Sequence, residues 1–394
     1  MEGGGCMQGM IEYLKWRGDL SFDKAPQNEI DALILSEISY IPFENVVPSL
    51  SENKIVTLSE ACDTFFKLHG EDFSLGAILP KEILILFKEC AKSKRFSQVE
   101  LWGYVSEISL ESEKQFSAIS VSCGDKITYV VYRGTDDTLV GWKEDLNMAL
   151  FTPIPSQMRG VEYLDEIARK TKDKLIVTGH SKGGNIAVYS ALMAKEKVQK
   201  RIQSVYSLDG PGFREDFVNS VKDRKITKQI ITILPTKSVV GRIFDIIGDH
   251  KIVKSIDKGI QQHNAFTWEI LGANFVFADR FEKPSDNFHE LLKLWVAKMT
   301  QEQRHEFIES FYKIATSNDA TTLTDITNQK MKFIVGLIKS EGSSKKAIFD
   351  AVFTLIKEKN AFGSAEKKAN KEKKIAQKLE NKKEKQETKK DTEE

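Results

Sequence analysis

The 394-residue chain has only four cysteines, Cys6, Cys62, Cys90 and Cys123. They are scattered without paired or metal-like spacing, so they argue against a disulfide framework or a zinc site and read as free thiols in a reducing compartment. Net charge is almost absent, since 58 basic and 57 acidic side chains leave +1. No basic surplus points to nucleic acid or to a general anionic partner. Long hydrophobic runs are missing too. No stretch approaches the length needed to span a bilayer, and the N-terminus has no continuous apolar core of signal-peptide length. No phosphate loop or dinucleotide fingerprint is found, so no cofactor is expected. Together these absences lead to the expectation of a cytoplasmic protein, one that would meet a lipid surface only peripherally. What is present is a chain 41% hydrophobic, long enough to bury a sizeable core.

The most informative residues are Gly179-His180-Ser181-Lys182-Gly183. They read Gly-x-Ser-x-Gly. The β-branched residues 174–178 precede them and predict a buried strand. The Ala-rich, unpunctuated residues 185–192 follow and predict a helix. The bare pattern is weak, because about one average chain of this length in ten would contain it by chance. Between a strand and a helix it matches a nucleophile elbow. That turn must be tight enough to project the serine Oγ free of the backbone, hence the flanking glycines. The start of the following helix offers free N–H groups to a developing anion.

A second segment strengthens this reading. Residues 127–132 predict a strand that runs into Arg133-Gly134-Thr135, with Trp142 and Glu144-Asp145-Leu146 shortly after. Here the sequence resembles the class 3 lipases, over roughly residues 100–270. It resembles still more closely a bacterial family of lipase-like hydrolases, through residues 13–20, Leu208-Asp209-Gly210-Pro211-Gly212-Phe213 and Gln262-His263-Asn264. The resemblance implies an α/β-hydrolase fold, with a mixed, mostly parallel sheet flanked by helices. It also implies a serine hydrolase acting on an ester of a lipid or other acyl compound. Thr135 would then supply an oxyanion-hole hydroxyl and N–H, and the Lys182 N–H the other donor. The simpler reading of Thr135 is a turn residue bonding its own backbone. The Lys182 side chain is expected to face solvent, with an anionic headgroup as the alternative.

A serine hydroxyl needs a histidine to take its proton and an acid to hold that histidine. The chain order Ser, acid, His removes His69. His180 reads as structural. Among His250, His263, His289 and His305, the match at Gln262-His263-Asn264 selects His263, with His250 in reserve. The acid is open. Asp209 stands at the C-terminal end of a predicted strand, residues 204–208, where open α/β sheets place their sites. The class 3 lipases take their acid from the end of the next strand, and the matching residue here is Ser238. Either the acid has moved to Asp209, with Asp245 and Asp249 as further candidates, or the triad is incomplete. An incomplete triad would suit a non-catalytic relative acting as a binding or scaffold module.

The surrounding chain divides into four expected parts. Residues 1–95 form a helical segment packed on the core, with a capping box at Thr57 and Glu60. Residues 96–283 form the lipase-like core. Residues 284–360 carry amphipathic helices. Residues 361–394 form a charged tail, with 11 Lys and 8 acidic residues from Glu366 onward, too polar to fold. The pattern-free residues 1–9 suggest a natural start at Met7 or Met10. Residues 241–262 contain clustered apolar side chains and are expected to form an amphipathic helix on the sheet, with a mobile lid as the alternative.

Overall fold

The computed structural model describes residues 9–76, 79–124, 126–148, 151–282, 298–316 and 322. Residues 298–310 belong to a second compact unit, and the fold below is that of the first. Most of the expected C-terminal helices and the whole of the charged tail lie outside the described residues. One helix, Gln301–Ala315, falls within them.

Four helices lead into the sheet: α1 (Met10–Arg17), α2 (Glu29–Ile38), α3 (Leu58–His69) and α4 (Glu82–Lys92). A short strand β1 (Val56–Thr57) precedes α3. The Thr57 hydroxyl accepts from the Glu60 N–H at 3.2 Å while the Glu60 carboxylate accepts from the Thr57 N–H at 2.8 Å. This capping box satisfies two donors that the helix start leaves open. The centre of α2 is buried on every side, from Ile30 to Ile38, which suits its apolar sequence.

Three strands then form an antiparallel run: β2 (Glu100–Ser109), β3 (Lys114–Ser122) and β4 (Ile127–Tyr132). Helices α5 (Leu139–Met148) and α6 (Pro155–Lys170) follow, with Pro155 at the first turn of α6 where no backbone N–H is needed. The next strands are β5 (Lys174–His180), β6 (Ile202–Leu208), β7 (Ile230–Pro235) and β8 (Asp249–Val253), each parallel to its neighbour from β4 onward. Between them lie α7 (Lys182–Met193), the single turn α8 (Glu196–Gln199) and α9 (Glu215–Val221). Two-residue strands β9 (Ile270–Leu271), β10 (Asn274–Phe275) and β11 (Phe277–Ala278) complete the core. Among the described residues the main sheet has nine strands in the order β1-β2-β3-β4-β5-β6-β7-β8-β11.

Alternating side chains divide the sheet's two faces. Tyr129, Val131 and Ile176 point toward the N-terminal helices, among Leu33, Ile34, Phe43 and Phe87. Val130, Tyr132, Leu175 and Val177 point toward α6 and α7, among Tyr163, Leu164, Ile186 and Leu192. This is the α/β-hydrolase arrangement: a mixed, mostly parallel sheet covered by helices on both faces. The described cysteines Cys62, Cys90 and Cys123 are free and buried. No helix among the described residues is long and apolar enough to cross a membrane.

One expectation is corrected. Residues 241–262 form no amphipathic helix. Ile252 and Val253 belong to β8, paired in register with Leu234 and Pro235 of β7. A short β-branched run beside an unpaired strand edge gains more from ladder hydrogen bonds than from one turn of helix.

Candidate active site

The parallel strands place their C-terminal ends along one edge of the sheet, and the candidate residues gather there. Ser181 occupies the junction of β5 and α7 at φ 56°, ψ −130°. That conformation costs a non-glycine residue about 1–3 kcal/mol and persists only where packing enforces it. The enforcement is visible at Gly183, where an added Cβ would lie 2.1 Å from the Tyr132 carbonyl oxygen. Only glycine lets the first turn of α7 press so closely on β4. Gly134 does the same for the loop after β4, since a Cβ there would sit 2.0 Å from Tyr40 Oη and 2.8 Å from the His180 carbonyl. The Arg133-Gly134-Thr135 loop is therefore wedged beside the elbow.

His263 ends a short 3-10 helix, Gly259–His263. Its Nε2 lies 3.1 Å from Ser181 Oγ, and its Nδ1 lies 2.6 Å from Asp209 Oδ2. Asp209 follows β6 directly, at φ 47°. Its Oδ1 accepts from Ser238 Oγ at 2.5 Å and from the Gly241 N–H at 3.2 Å. The Asp209 side chain is fully buried while that of His263 is 27% exposed, so the carboxylate is sealed in and the imidazole is reachable. Gln262 moors the His263 segment. Its Oε1 accepts from the Lys237 N–H at 2.7 Å, its Nε2 donates to the Asp257 carbonyl at 2.8 Å, and Trp268 Nε1 donates to its carbonyl at 2.8 Å.

The other candidates lie elsewhere. His250 is on β8, stacked against Phe281 at 5.9 Å. Asp245 pairs its backbone with Phe213, and Asp249 opens β8 opposite Ile231. His69 ends α3, His305 lies on the helix Gln301–Ala315, and His289 is outside the described residues. Beside Ser238, the position that carries no acid, lies the Asp209 carboxylate from the end of the preceding strand–turn. Ser238 supports that carboxylate instead of replacing it.

Two expectations about the oxyanion side change. The Lys182 ammonium does not face solvent: only 1% of its side chain is exposed, and Nζ donates to the Gln115 carbonyl at 2.9 Å and to Glu144 Oε2 at 3.1 Å. Glu144 also accepts from the N–H groups of Gln115 and Ser156 at 3.0 and 2.9 Å. The Thr135 hydroxyl is committed as well. It donates to Asp145, with its oxygen 2.8 and 2.6 Å from the two carboxylate oxygens. One hydroxyl has one proton to give, so in this arrangement that of Thr135 is already used. Burial raises the Asp145 carboxyl to about 6, partly offset by nearby Lys182.

Behind His263 stands His180, which from the sequence alone reads as structural. The His180 ring stacks on that of His263 with centroids 4.7 Å apart and planes at 28°. Its Nε2 lies 3.0 Å from the His263 carbonyl, and its Nδ1 lies 3.3 Å from Tyr40 Oη and 3.2 Å from Glu37 Oε1. Burial, and then the neighbouring His263, hold the His180 ring well below the usual histidine range. Burial pushes the Glu37 carboxyl up to about 8. Nothing local in the sequence marks Glu37 or Tyr40.

Among the described residues no cluster of three His, Cys, Asp or Glu side chains is arranged to hold a metal ion. A cleft lies at the opposite end of β4 and β5, lined by Lys126, Lys170, Asp173 and Trp102 among others. It is remote from Ser181, and the chemistry argues for the elbow rather than for that cleft.

The Mbeg1-like family model matches residues 90–313, more than half of the chain. The chain belongs to the Mbeg1-like family. Its matched region contains the elbow, Asp209, Ser238 and His263. No curated protein matches this Mbeg1-like chain. Solved structures similar to it include M37 lipase, 18% identical, covering 56% of this chain and 70% of that one with a TM-score of 0.35. A fungal lipase–inhibitor complex is 14% identical, covering 57% of this chain and 78% of that one with a TM-score of 0.36. The Rhizomucor miehei lipase–propeptide complex is 17% identical, covering 46% of this chain and 63% of that one with a TM-score of 0.32.

Proposed function

We propose that the protein is a serine hydrolase that cleaves an ester, of a lipid or another acyl compound, through Ser181, His263 and Asp209. The observation that carries this reading is the unbroken line from Asp209 Oδ2 through His263 to Ser181 Oγ, at 2.6 and 3.1 Å. Both contacts are within hydrogen-bond reach, and each member has the chemistry its place requires.

In the first half-reaction His263 Nε2 takes the Ser181 proton as Oγ attacks the ester carbonyl. Asp209 holds the ring with Nδ1–H toward the carboxylate and stabilises the imidazolium that forms. The carbonyl oxygen becomes an oxyanion, and the N–H groups of Lys182 and Thr135 are the donors proposed for it. The tetrahedral species collapses, His263 returns its proton to the leaving alkoxide, and an acyl-Ser181 remains. Water then repeats the sequence with His263 as base, releasing the acid and restoring the serine.

An apolar acyl chain suits the approach to this site. Ile256 and Ile260 are exposed on the segment that leads to His263, and Trp142 is exposed on α5, the helix that carries Asp145. The test is labelling of purified protein with a fluorophosphonate probe beside a Ser181→Ala control, followed by p-nitrophenyl esters of rising chain length. Labelling of the wild type alone, with hydrolysis, supports the reading. An unlabelled, fully folded wild type overturns it.

A further inference from the structure

His180 is held from two sides, and its hydrogen bonds determine where its proton sits. A carbonyl oxygen only accepts, so the 3.0 Å contact to the His263 carbonyl requires the proton on Nε2. In the neutral ring Nδ1 is then a lone pair and needs a donor. Two groups reach it, Tyr40 Oη at 3.3 Å and Glu37 Oε1 at 3.2 Å. Glu37 Oε1 is buried without a hydrogen-bond partner, and its 3.2 Å approach to Nδ1 is its one close polar contact on this side. It can serve Nδ1 only by carrying a proton itself.

We propose that His180 is a positioning residue for His263, fixed in one tautomer by donation from Glu37 and Tyr40, so that its Nε2–H anchors the main chain that carries the base. The anchor lies on the face of the His263 ring and on its carbonyl, whereas Asp209 grips the ring edge. The two restraints fix different degrees of freedom: Asp209 sets ring rotation, and His180 sets where the ring is rooted. The inference rests on the triad reading for its catalytic meaning, but the arrangement itself does not depend on it.

The same geometry makes the anchor sensitive to alkali. Burial raises Glu37 to about 8 and keeps the His180 ring neutral at ordinary pH. Once Glu37 ionises it can only accept. The proton on His180 is then drawn to Nδ1, and the bond from Nε2 to the His263 carbonyl is lost. The groups that face this pair are His263 from its 3-10 turn, and Arg133, Asp136 and Asp145, whose charges reach Tyr40 from the loop after β4 and from α5. Arg133 is tied to Asp136 at 2.9 Å, so it offers Glu37 little compensation.

Two measurements on the full chain test this. Selective 15N-histidine labelling reads the His180 ring without any need for hydrolysis. The expected result is a proton on Nε2 and a lone pair on Nδ1 near neutral pH, with transfer to Nδ1 as pH rises through about 8. A proton on Nδ1 at neutral pH, or a tautomer unchanged well above that range, overturns the proposal. Because this readout is spectroscopic, failure of the triad reading, seen as an unlabelled Ser181, remains distinguishable from failure of this one.

The second measurement is the pH profile of p-nitrophenyl ester hydrolysis for the wild type, Glu37→Leu and Glu37→Gln. Leucine removes the Glu37 donor and leaves Tyr40, and kcat is expected to fall about three- to tenfold, the worth of one hydrogen bond, with KM nearly unchanged. The glutamine amide can donate at any pH. It is expected to restore kcat near neutrality and to keep it at alkaline pH, where the wild type declines. Wild-type kcat in Glu37→Leu, or the same alkaline decline in Glu37→Gln and the wild type, would refute the role given to Glu37. The glutamine profile stands as a test even where the leucine variant does not fold.

Discussion

Ser238 Oγ lies 2.5 Å from Asp209 Oδ1, so a residue in the turn after β7 supports the carboxylate that follows β6. The two oxygens of Asp209 divide their work. Oδ2 meets His263, and Oδ1 meets Ser238 and the Gly241 N–H. Ser238→Ala removes one bond to a charged acceptor, and a bond of that kind is worth about 1.5–3 kcal/mol. In a steady-state ester assay the expected result is a loss of kcat of at least about tenfold with KM little changed. Asp209→Asn should cost far more, on the order of 10⁴-fold as in other Ser-His-Asp sites. Equal losses in the two variants would mean that Ser238 matters to the orientation of the imidazole as much as Asp209 does.

The buried Lys182–Glu144 pair predicts a stability result that a solvent-facing lysine would not give. Lys182→Met leaves Glu144 charged, buried and short of a donor, which is expected to cost about 3–5 kcal/mol. Adding Glu144→Gln removes the uncompensated charge and should recover much of that loss. Chemical denaturation of the single and double variants reads the coupling. Additive losses would show that the pair does not act as a unit.

Glu37 gives stability a pH dependence with a definite sign. Its folded-state value of about 8 stands above the ordinary 4.5. The folded chain therefore binds this proton more tightly than the unfolded chain does. Its contribution is fully present below about 4.5 and is lost as pH rises to about 8. Glu37→Gln has no proton to lose. Thermal melting should find the variant close to the wild type in mild acid and increasingly more stable than it toward pH 8 and above. A constant difference across that window would show that Glu37 is ionised in the native protein.

Thr135 offers a way to weigh hydroxyl against N–H. Loss of a direct oxyanion donor costs about 10²–10³ in kcat. Its hydroxyl is bonded to Asp145 instead, so Thr135→Val should lose only about tenfold, through a loosened loop, and Thr135→Ser should lose little. A thousandfold loss in the valine variant would mean that the hydroxyl turns toward the substrate when it binds.

What could be read in advance was what is local. The strand, tight turn and helix around Ser181 are contiguous, and each announces itself through β-branching, glycine or alanine. Asp209 remained one of several acids because its selection depends on how the ends of β6 and β7 align. That alignment is a matter of sheet register between residues 29 positions apart. Lys182 was misjudged for a similar reason. Lysine is usually exposed, and the partners that make it buried lie 38 and 67 positions away. The apolar cluster before His263 suggested a helix, since short apolar runs carry no decisive period. Glu37 and Tyr40 reach His180 across more than a hundred residues, a distance at which local pattern carries no signal.

The order of the site along the chain has a consequence for how the protein is made. Ser181 precedes His263 by 82 positions, and the helix bearing Glu37 is synthesised before either. A nascent chain thus exposes its candidate nucleophile well before the base that would activate it has left the ribosome. Under the proposed mechanism the half-made protein is harmless to surrounding esters. Acquisition of reactivity toward a fluorophosphonate then marks the moment at which β5, β6 and the His263 turn have come together, a chemical clock for the completion of folding.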